Sequence, residues 1–151
     1  MNRSATDRIE KKFTLSATRS RVWRAVSDST EFGQWFRCQL EGAFVPGKTI
    51  TGKVTYPGYE HLTVELDIVS VVPERYLSYR WRPNAVDTKK DYSAEPKTLV
   101  EFELEEVPGG TQVTIVESGF DALPAERRAL AFRANESGWG EQAKNIARHV
   151  A

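Results

Sequence analysis

The sequence predicts an α+β fold: a curved antiparallel sheet of about seven strands closed by one long C-terminal helix, with two short helices after the first strand. Three observations carry this. Six strand-like segments follow one another from Leu40 to Phe120, joined mostly by hairpin-length turns, as in an antiparallel meander. Their alternation leaves one apolar face that must be covered. From Pro124 to Val150 the apolar residues Leu130, Ala134, Trp139, Ala143, Ile146 and Val150 recur mostly at three- and four-residue steps, the stripe of a helix lying on an apolar surface.

The elements follow in order. Arg8 to Leu15 alternates, with Ile9, Phe13 and Leu15 on one side. Lys11 interrupts that side, which suits an edge strand paired with the last strand. Ser16 or Thr18 can cap the next helix, because a hydroxyl accepts from free backbone N–H groups. Val22, Trp23 and Val26 give Thr18–Ser27 its apolar face. Asp28-Ser29-Thr30 is a second capping cluster and opens a short helix through Phe32, Trp35 and Phe36. Leu40 to Phe44 reads as a short strand, and Val45 to Lys48 as a turn.

Thr49 to Tyr56 alternates, with Ile50, Val54 and Tyr56 on one side. His61 to Val72 is a β-branched run, bent near Val69 where the alternation slips by one residue. Arg75 to Trp81 turns Leu77, Tyr79 and Trp81 to one face. Pro83 to Pro96 is a polar loop, longer than a usual hairpin connection. After a slip at Leu99, Lys97 to Val107 sets Val100, Phe102 and Leu104 against Glu101, Glu103 and Glu105. Pro108-Gly109-Gly110 is a hairpin turn, and Gln112 to Phe120 is the last strand.

Composition narrows the function. A chain of 151 residues fits one domain, 1–151, and buries roughly 70% of the surface its unfolded form exposes, so it folds without a disulfide or a metal. One cysteine, Cys38, excludes an intrachain disulfide and favours a reducing compartment. Lys+Arg and Asp+Glu both number 21, which argues against a general nucleic-acid binder. No stretch approaches the roughly 18 apolar residues of a membrane span. The polar start lacks the apolar core of a signal peptide, so the cytoplasm is the expected location. The two histidines and one cysteine show no zinc spacing, and neither a phosphate-binding glycine loop nor a nucleophile elbow is present. No cofactor or metal is expected. His149 in the last helical turn suits the helix dipole.

Several segments together resemble a known superfamily. They are Val22-Trp23-Arg24-Ala25-Val26, Trp35-Phe36, Pro46-Gly47, Gly110-Thr111-Gln112-Val113-Thr114, Glu117-Ser118-Gly119-Phe120 and Gly138-Trp139. In this order and spacing they resemble the START-like, or SRPBCC, superfamily with its helix-grip fold. Within it they are most similar to the group named after the C-terminal domain of the activator of the ninety-kilodalton heat-shock protein's ATPase. The resemblance implies a curved sheet gripping the C-terminal helix around a hydrophobic cavity. It implies no particular reaction, since the superfamily includes lipid carriers, plant hormone receptors and aromatase/cyclases.

The candidate site follows from the inward faces. Trp35, Phe36, Tyr56, Tyr79, Trp81, Phe102, Phe120 and Trp139 form the expected cavity wall. Alternation from Val113 and Ile115 points Glu117 inward beneath the helix. A buried carboxylate is costly unless partnered, so Glu117 is a candidate to bind a ligand hydroxyl or to act as a general base. Lacking a cationic partner, it is expected to affect ligand affinity more than stability. Three functions follow. The first is a carrier or receptor for a hydrophobic, aromatic or lipid-like small molecule. The second is a cyclase- or hydrolase-type enzyme using the cavity carboxylate, which needs at least two convergent polar groups. The third, implied by the resemblance alone, is a co-chaperone-like interaction module. Homodimerisation through a strand edge or the short helices is compatible with the pattern and not decided by it.

Overall fold

The computed structural model describes residues 5–87 and 89–151. Strand β1 (Arg8–Leu15) leads into helices α1 (Arg19–Ser27) and α2 (Ser29–Phe36). Six strands follow: β2 (Cys38–Glu41), β3 (Thr49–Val54), β4 (Thr63–Val72), β5 (Tyr76–Trp81), β6 (Thr98–Val107) and β7 (Gly110–Ser118). A short 3-10 turn, Phe120–Ala122, precedes the long helix α3 (Ala125–Val150). The strands form one antiparallel sheet in the order β1-β7-β6-β5-β4-β3-β2. β1 is an edge strand paired with β7, and Ile9 lies opposite Glu117. The bend expected near Val69 is a register shift between Ile68 and Ser70.

Local chemistry sets the helix starts. Thr18 Oγ1 accepts from Arg21 N at 3.1 Å, and Asp28 Oδ1 accepts from Thr30 N and Glu31 N at 2.9 and 3.0 Å. The turn from α2 into β2 is tight. A Cβ at Gly33 would stand 2.3 Å from the Cys38 carbonyl oxygen, so only glycine fits there.

Several boundaries differ from the sequence reading by one or two residues or more, and those of β2, β3 and β7 change where a side chain lies. β2 begins at Cys38 and ends at Glu41, so Phe44 is buried from a loop rather than from a strand. β3 ends at Val54, and Tyr56 lies beyond it in the turn, 52% exposed, against Tyr59 and beneath Arg37. β7 ends at Ser118, because Gly119 adopts φ 106° and redirects the chain into the 3-10 turn.

The buried face of α3 is also rotated from the expected stripe. Arg127, Ala131, Trp139 and Ile146 are buried, whereas Leu130 is 58% exposed and Ala134 faces solvent. The true face runs through polar residues that find partners. Arg127 donates to Glu95 Oε1 at 2.8 Å, to the Pro83 carbonyl at 2.9 Å and to the Asn84 carbonyl at 3.2 Å. This guanidinium ties the β5–β6 loop to the start of α3. Its ring-facing side also lies 4.7 Å from the Tyr92 ring centroid.

Beneath α3 the core is an aromatic layer. Phe32 packs at ring-centroid distances of 4.6 to 6.4 Å on Trp35, Phe36, Phe44, Tyr79 and Phe102. Edge-to-face and tilted ring pairs of this kind contribute about 0.5–1.5 kcal/mol each beyond the area they bury.

At its other end α3 is held by a charged cluster. Glu31 of α2 lies 2.7 Å from Arg21 Nη1, 2.8 Å from Arg24 Nε and 2.8 Å from His149 Nε2. Arg21 Nη2 also donates to the His149 carbonyl at 3.3 Å. Burial acts to raise the Glu31 carboxyl, but the hydrogen bonds from His149 and Arg21 and the charges of Arg21 and Arg24 outweigh it and hold the group below 4.5. A carboxyl lowered by folding stabilises the protein above its unfolded pKa and loses that contribution as pH falls through the folded value. Glu31→Gln is therefore expected to flatten the fall in urea-unfolding stability below pH 4.5, with a smaller pH dependence than the parent.

Candidate functional site

Glu117 sits at the centre of the molecule with no accessible surface. Strand alternation places it inward beside Val113 and Ile115, as the sequence indicates. Its partners are donors without formal charge. Oε2 accepts from Trp81 Nε1 at 2.7 Å and from Thr98 Oγ1 at 2.6 Å. Oε1 accepts from Trp139 Nε1 at 2.8 Å. Asn135 Nδ2 spans both oxygens, at 2.9 and 3.2 Å. The partners come from β5, β6 and α3, so one side chain of β7 joins three other elements.

Indole and amide N–H groups only donate at these atoms, and a carboxylate only accepts. The fit is chemically complete: each oxygen is engaged at least twice, with no cation. Removing the carboxylate would leave two indole N–H groups without acceptors, that of Trp139 buried and that of Trp81 partly buried, a buried one costing about 1–3 kcal/mol. The geometry thus shifts the expected role of Glu117 from ligand affinity towards stability.

The two indoles held by Glu117 form the walls of a small cavity. Trp81 and Trp139 lie 5.8 Å apart at an interplanar angle of 30°, and Phe36 stands 5.7 Å from the first and 6.4 Å from the second. These three rings, with Asn135, Gly138 and Gln142, line a shallow cavity of about 140 Å3 between α2, β5 and α3 that opens broadly to solvent. A second cavity of about 350 Å3 lies between the β3–β4 hairpin and the β5–β6 loop, and Trp81 also forms part of its wall. A wider groove of about 390 Å3 runs along Ser16–Arg19 and Glu106–Gly110. None of the buried aromatic residues lines that groove, so it is a surface feature apart from the core.

The aromatic residues anticipated from the sequence fall into four places. Phe36, Trp81 and Trp139 meet around the cavity and, through the indoles, around Glu117. Trp35, Tyr79 and Phe102 form the packed layer behind it, and Trp35 Nε1 donates to the Ala25 carbonyl at 2.8 Å. Phe120 packs on Phe132, 5.3 Å away, at the start of α3. Tyr56 does not join the wall; its strand stops two residues short, and its ring lies on the surface.

Tyr79 is fully buried, and its hydroxyl has no hydrogen-bond partner among the described residues. Burial, reinforced by the charge of Glu117, raises the Tyr79 hydroxyl well above its ordinary value, so it stays protonated. Burial likewise pushes the Cys38 thiol up to about 12, leaving it a poor nucleophile.

Asn135, Thr98 and Gln142 belong to the site without having been singled out from the sequence, and Gly138 was named there only within the segment Gly138-Trp139. Asn135, Trp139 and Gln142 lie at steps of four and three on α3, in line with Ala131 and Ile146, and that spacing is the signal that could have found them.

A curved seven-stranded antiparallel sheet wrapped about one long C-terminal helix is the helix-grip architecture of the START-like superfamily. The chain belongs to the family described as activator of Hsp90 ATPase homolog 1-like protein, which it matches over residues 16–151. No curated protein matches the sequence significantly. Among solved structures it is similar to protein MLL2253 from Mesorhizobium loti, with 21% identity, 95% of this chain and 96% of that chain covered, and a TM-score of 0.74. It is also similar to DynU16, a putative protein in the dynemicin biosynthetic locus, with 21% identity, 95% of this chain but 47% of that chain covered, and a TM-score of 0.73. The Aha1 dimer from Colwellia psychrerythraea shares 17% identity over 95% of both chains, with a TM-score of 0.70. At these identities the likeness is one of fold. No helix among the described residues is long and apolar enough to cross a membrane.

Replacing Glu117 by Ala is expected to lower stability by about 3 kcal/mol or more, because buried donors lose their acceptor together. Urea denaturation of the purified variant measures this, and a loss below about 1 kcal/mol would contradict the role given to the carboxylate.

Proposed function

We propose that the protein binds a small aromatic molecule in the cavity between α2, β5 and α3. The observation that carries this reading is the pair of indoles, Trp81 and Trp139, fixed by one buried carboxylate so that their rings flank an opening with Phe36. Side chains whose polar edges are tied down present preorganised apolar surfaces, and preorganisation lowers the entropic cost of binding. A cavity of about 150 Å3 is enough to hold a benzene ring. The space of about 140 Å3 is of that order, and its open side leaves room for a substituent. The aromatic layer fills the rest of the space beneath α3, which favours a compact ring over a long lipid chain.

The same geometry disfavours an enzyme of the cyclase or hydrolase type. A general base needs a free lone pair directed at substrate, whereas both oxygens of Glu117 are engaged by protein donors. Glu117 serves here as the positioning group for the walls.

Gly138 supports the binding reading from a different direction. Glycine within a helix costs about 1 kcal/mol relative to alanine. Here nothing lies within 4 Å of the place a Cβ would occupy, so packing does not require glycine. The position lines the cavity, and a side chain there would occupy the space assigned to ligand. Gly138→Leu is expected to weaken binding of a small aromatic probe such as phenol at least tenfold while leaving the thermal midpoint unchanged or raised. Calorimetric or NMR titration, paired with thermal unfolding, tests it; unchanged affinity in the folded variant would remove the cavity as the binding site.

A further inference from the structure

We infer that the cavity selects neutral aromatic compounds bearing an O–H or N–H donor, and that Asn135 Oδ1 is the atom that receives it. This deepens the binding reading above and rests on it. The argument is an inventory of polar atoms on the cavity wall. Both indole N–H groups are committed to Glu117. The Gln142 amide is engaged once at each end: Nε2 donates to the Phe36 carbonyl at 3.4 Å, and Oε1 accepts from Asn145 Nδ2 at 3.0 Å.

Asn135 differs. Its amide nitrogen must face Glu117, because a carboxylate offers acceptors only, and this fixes which edge of the amide is which. The carbonyl edge is thereby turned from Glu117. Among the described residues nothing donates to Oδ1, and the atom is not sealed from solvent. Asn135 lines the cavity together with three aromatic rings, and among the described residues Oδ1 is its one side-chain polar atom without a protein partner. Two hydrogen bonds from the amide nitrogen to a carboxylate also polarise the amide and strengthen the opposite carbonyl as an acceptor. A ring with one donor satisfies Oδ1 while filling the apolar space. A ring without one covers that oxygen and leaves it unpaired, which opposes binding.

The discriminating experiment compares phenol, toluene and anisole as probes by NMR titration of the intact chain. Phenol and toluene have nearly the same size and shape, and toluene is the more hydrophobic, so partition into an apolar cavity alone would favour toluene. The expected result is that phenol binds at least about fivefold more tightly than either toluene or anisole. Asn135→Ala, in which Glu117 keeps Trp81, Thr98 and Trp139 as donors, is expected to abolish that preference. Equal affinities, or toluene preferred, in the parent protein would overturn donor selection while leaving the cavity a binding site. A phenol preference that persists in folded Asn135→Ala would overturn Oδ1 as the receiving atom. Binding of none of the three, or binding insensitive to Gly138→Leu, would overturn the cavity reading and this inference with it.

Discussion

The arrangement depends on one buried carboxylate. Glu117 lies with no exposed surface in a protein whose other acidic groups are mostly on the rim or outer faces. An unpartnered ionised carboxylate in such a place would be prohibitive, and the usual remedy is a cation. This fold instead surrounds it with Trp81, Thr98, Asn135 and Trp139, whose donors carry no formal charge. The consequence is geometric as well as energetic. A lysine or arginine would bring its own long, flexible chain to the centre, whereas two indoles and a short amide bring flat, rigid surfaces. The solvation of one charge therefore organises three elements around β7 and produces an ordered aromatic surface.

That surface explains why the space beneath α3 is small. The curved sheet and the helix leave room, but Phe32 and its neighbours fill most of it with ring-to-ring packing. At the edge where α2 meets α3 a shallow cavity remains, lined by Phe36, Trp81 and Trp139, whose rings pack on one another. A helix-grip fold can enclose a wide cavity or a narrow one. In this chain the density of Phe and Trp on α2, β5 and α3 selects the narrow form. Both oxygens of Glu117 are engaged by protein donors, and burial raises the Cys38 thiol, so neither group is free to react as it stands.

Much of the fold was legible because it rests on alternation. The strand order, the edge position of β1 with Lys11 on it, the bend near Val69 and the caps at Thr18 and Asp28 all follow from local patterns. Glu117 was legible for the same reason: unbroken period-two alternation along β7 fixes its side. The face of α3 was less so. An apolar-only reading selects Leu130 and Ala134, but the buried face carries Arg127 and Asn135, whose burial depends on partners distant in sequence, Glu95 and Glu117. The misplaced Tyr56 has a different origin. The alternation continues two residues past the point where β3 stops pairing, and a single strand cannot reveal where its neighbour ends.

Three polar attachments fix the position of α3 over the sheet. Near its start, Arg127 is bound to Glu95 and to loop carbonyls. At its middle, Asn135 and Trp139 hold Glu117. At its end, His149 and its carbonyl meet Glu31 and Arg21. Between them the helix buries Ala131 and Ile146. Lifting α3 would disturb at least one of these attachments, and the central one, made to a carboxylate with no exposed surface, is costly to break. Movement of Trp81 is less costly to the carboxylate, because Glu117 would keep Thr98, Asn135 and Trp139. Trp81 also forms part of the wall of the larger cavity beneath the β5–β6 loop. The helix, held at its start, middle and end, is thus the fixed frame around the carboxylate.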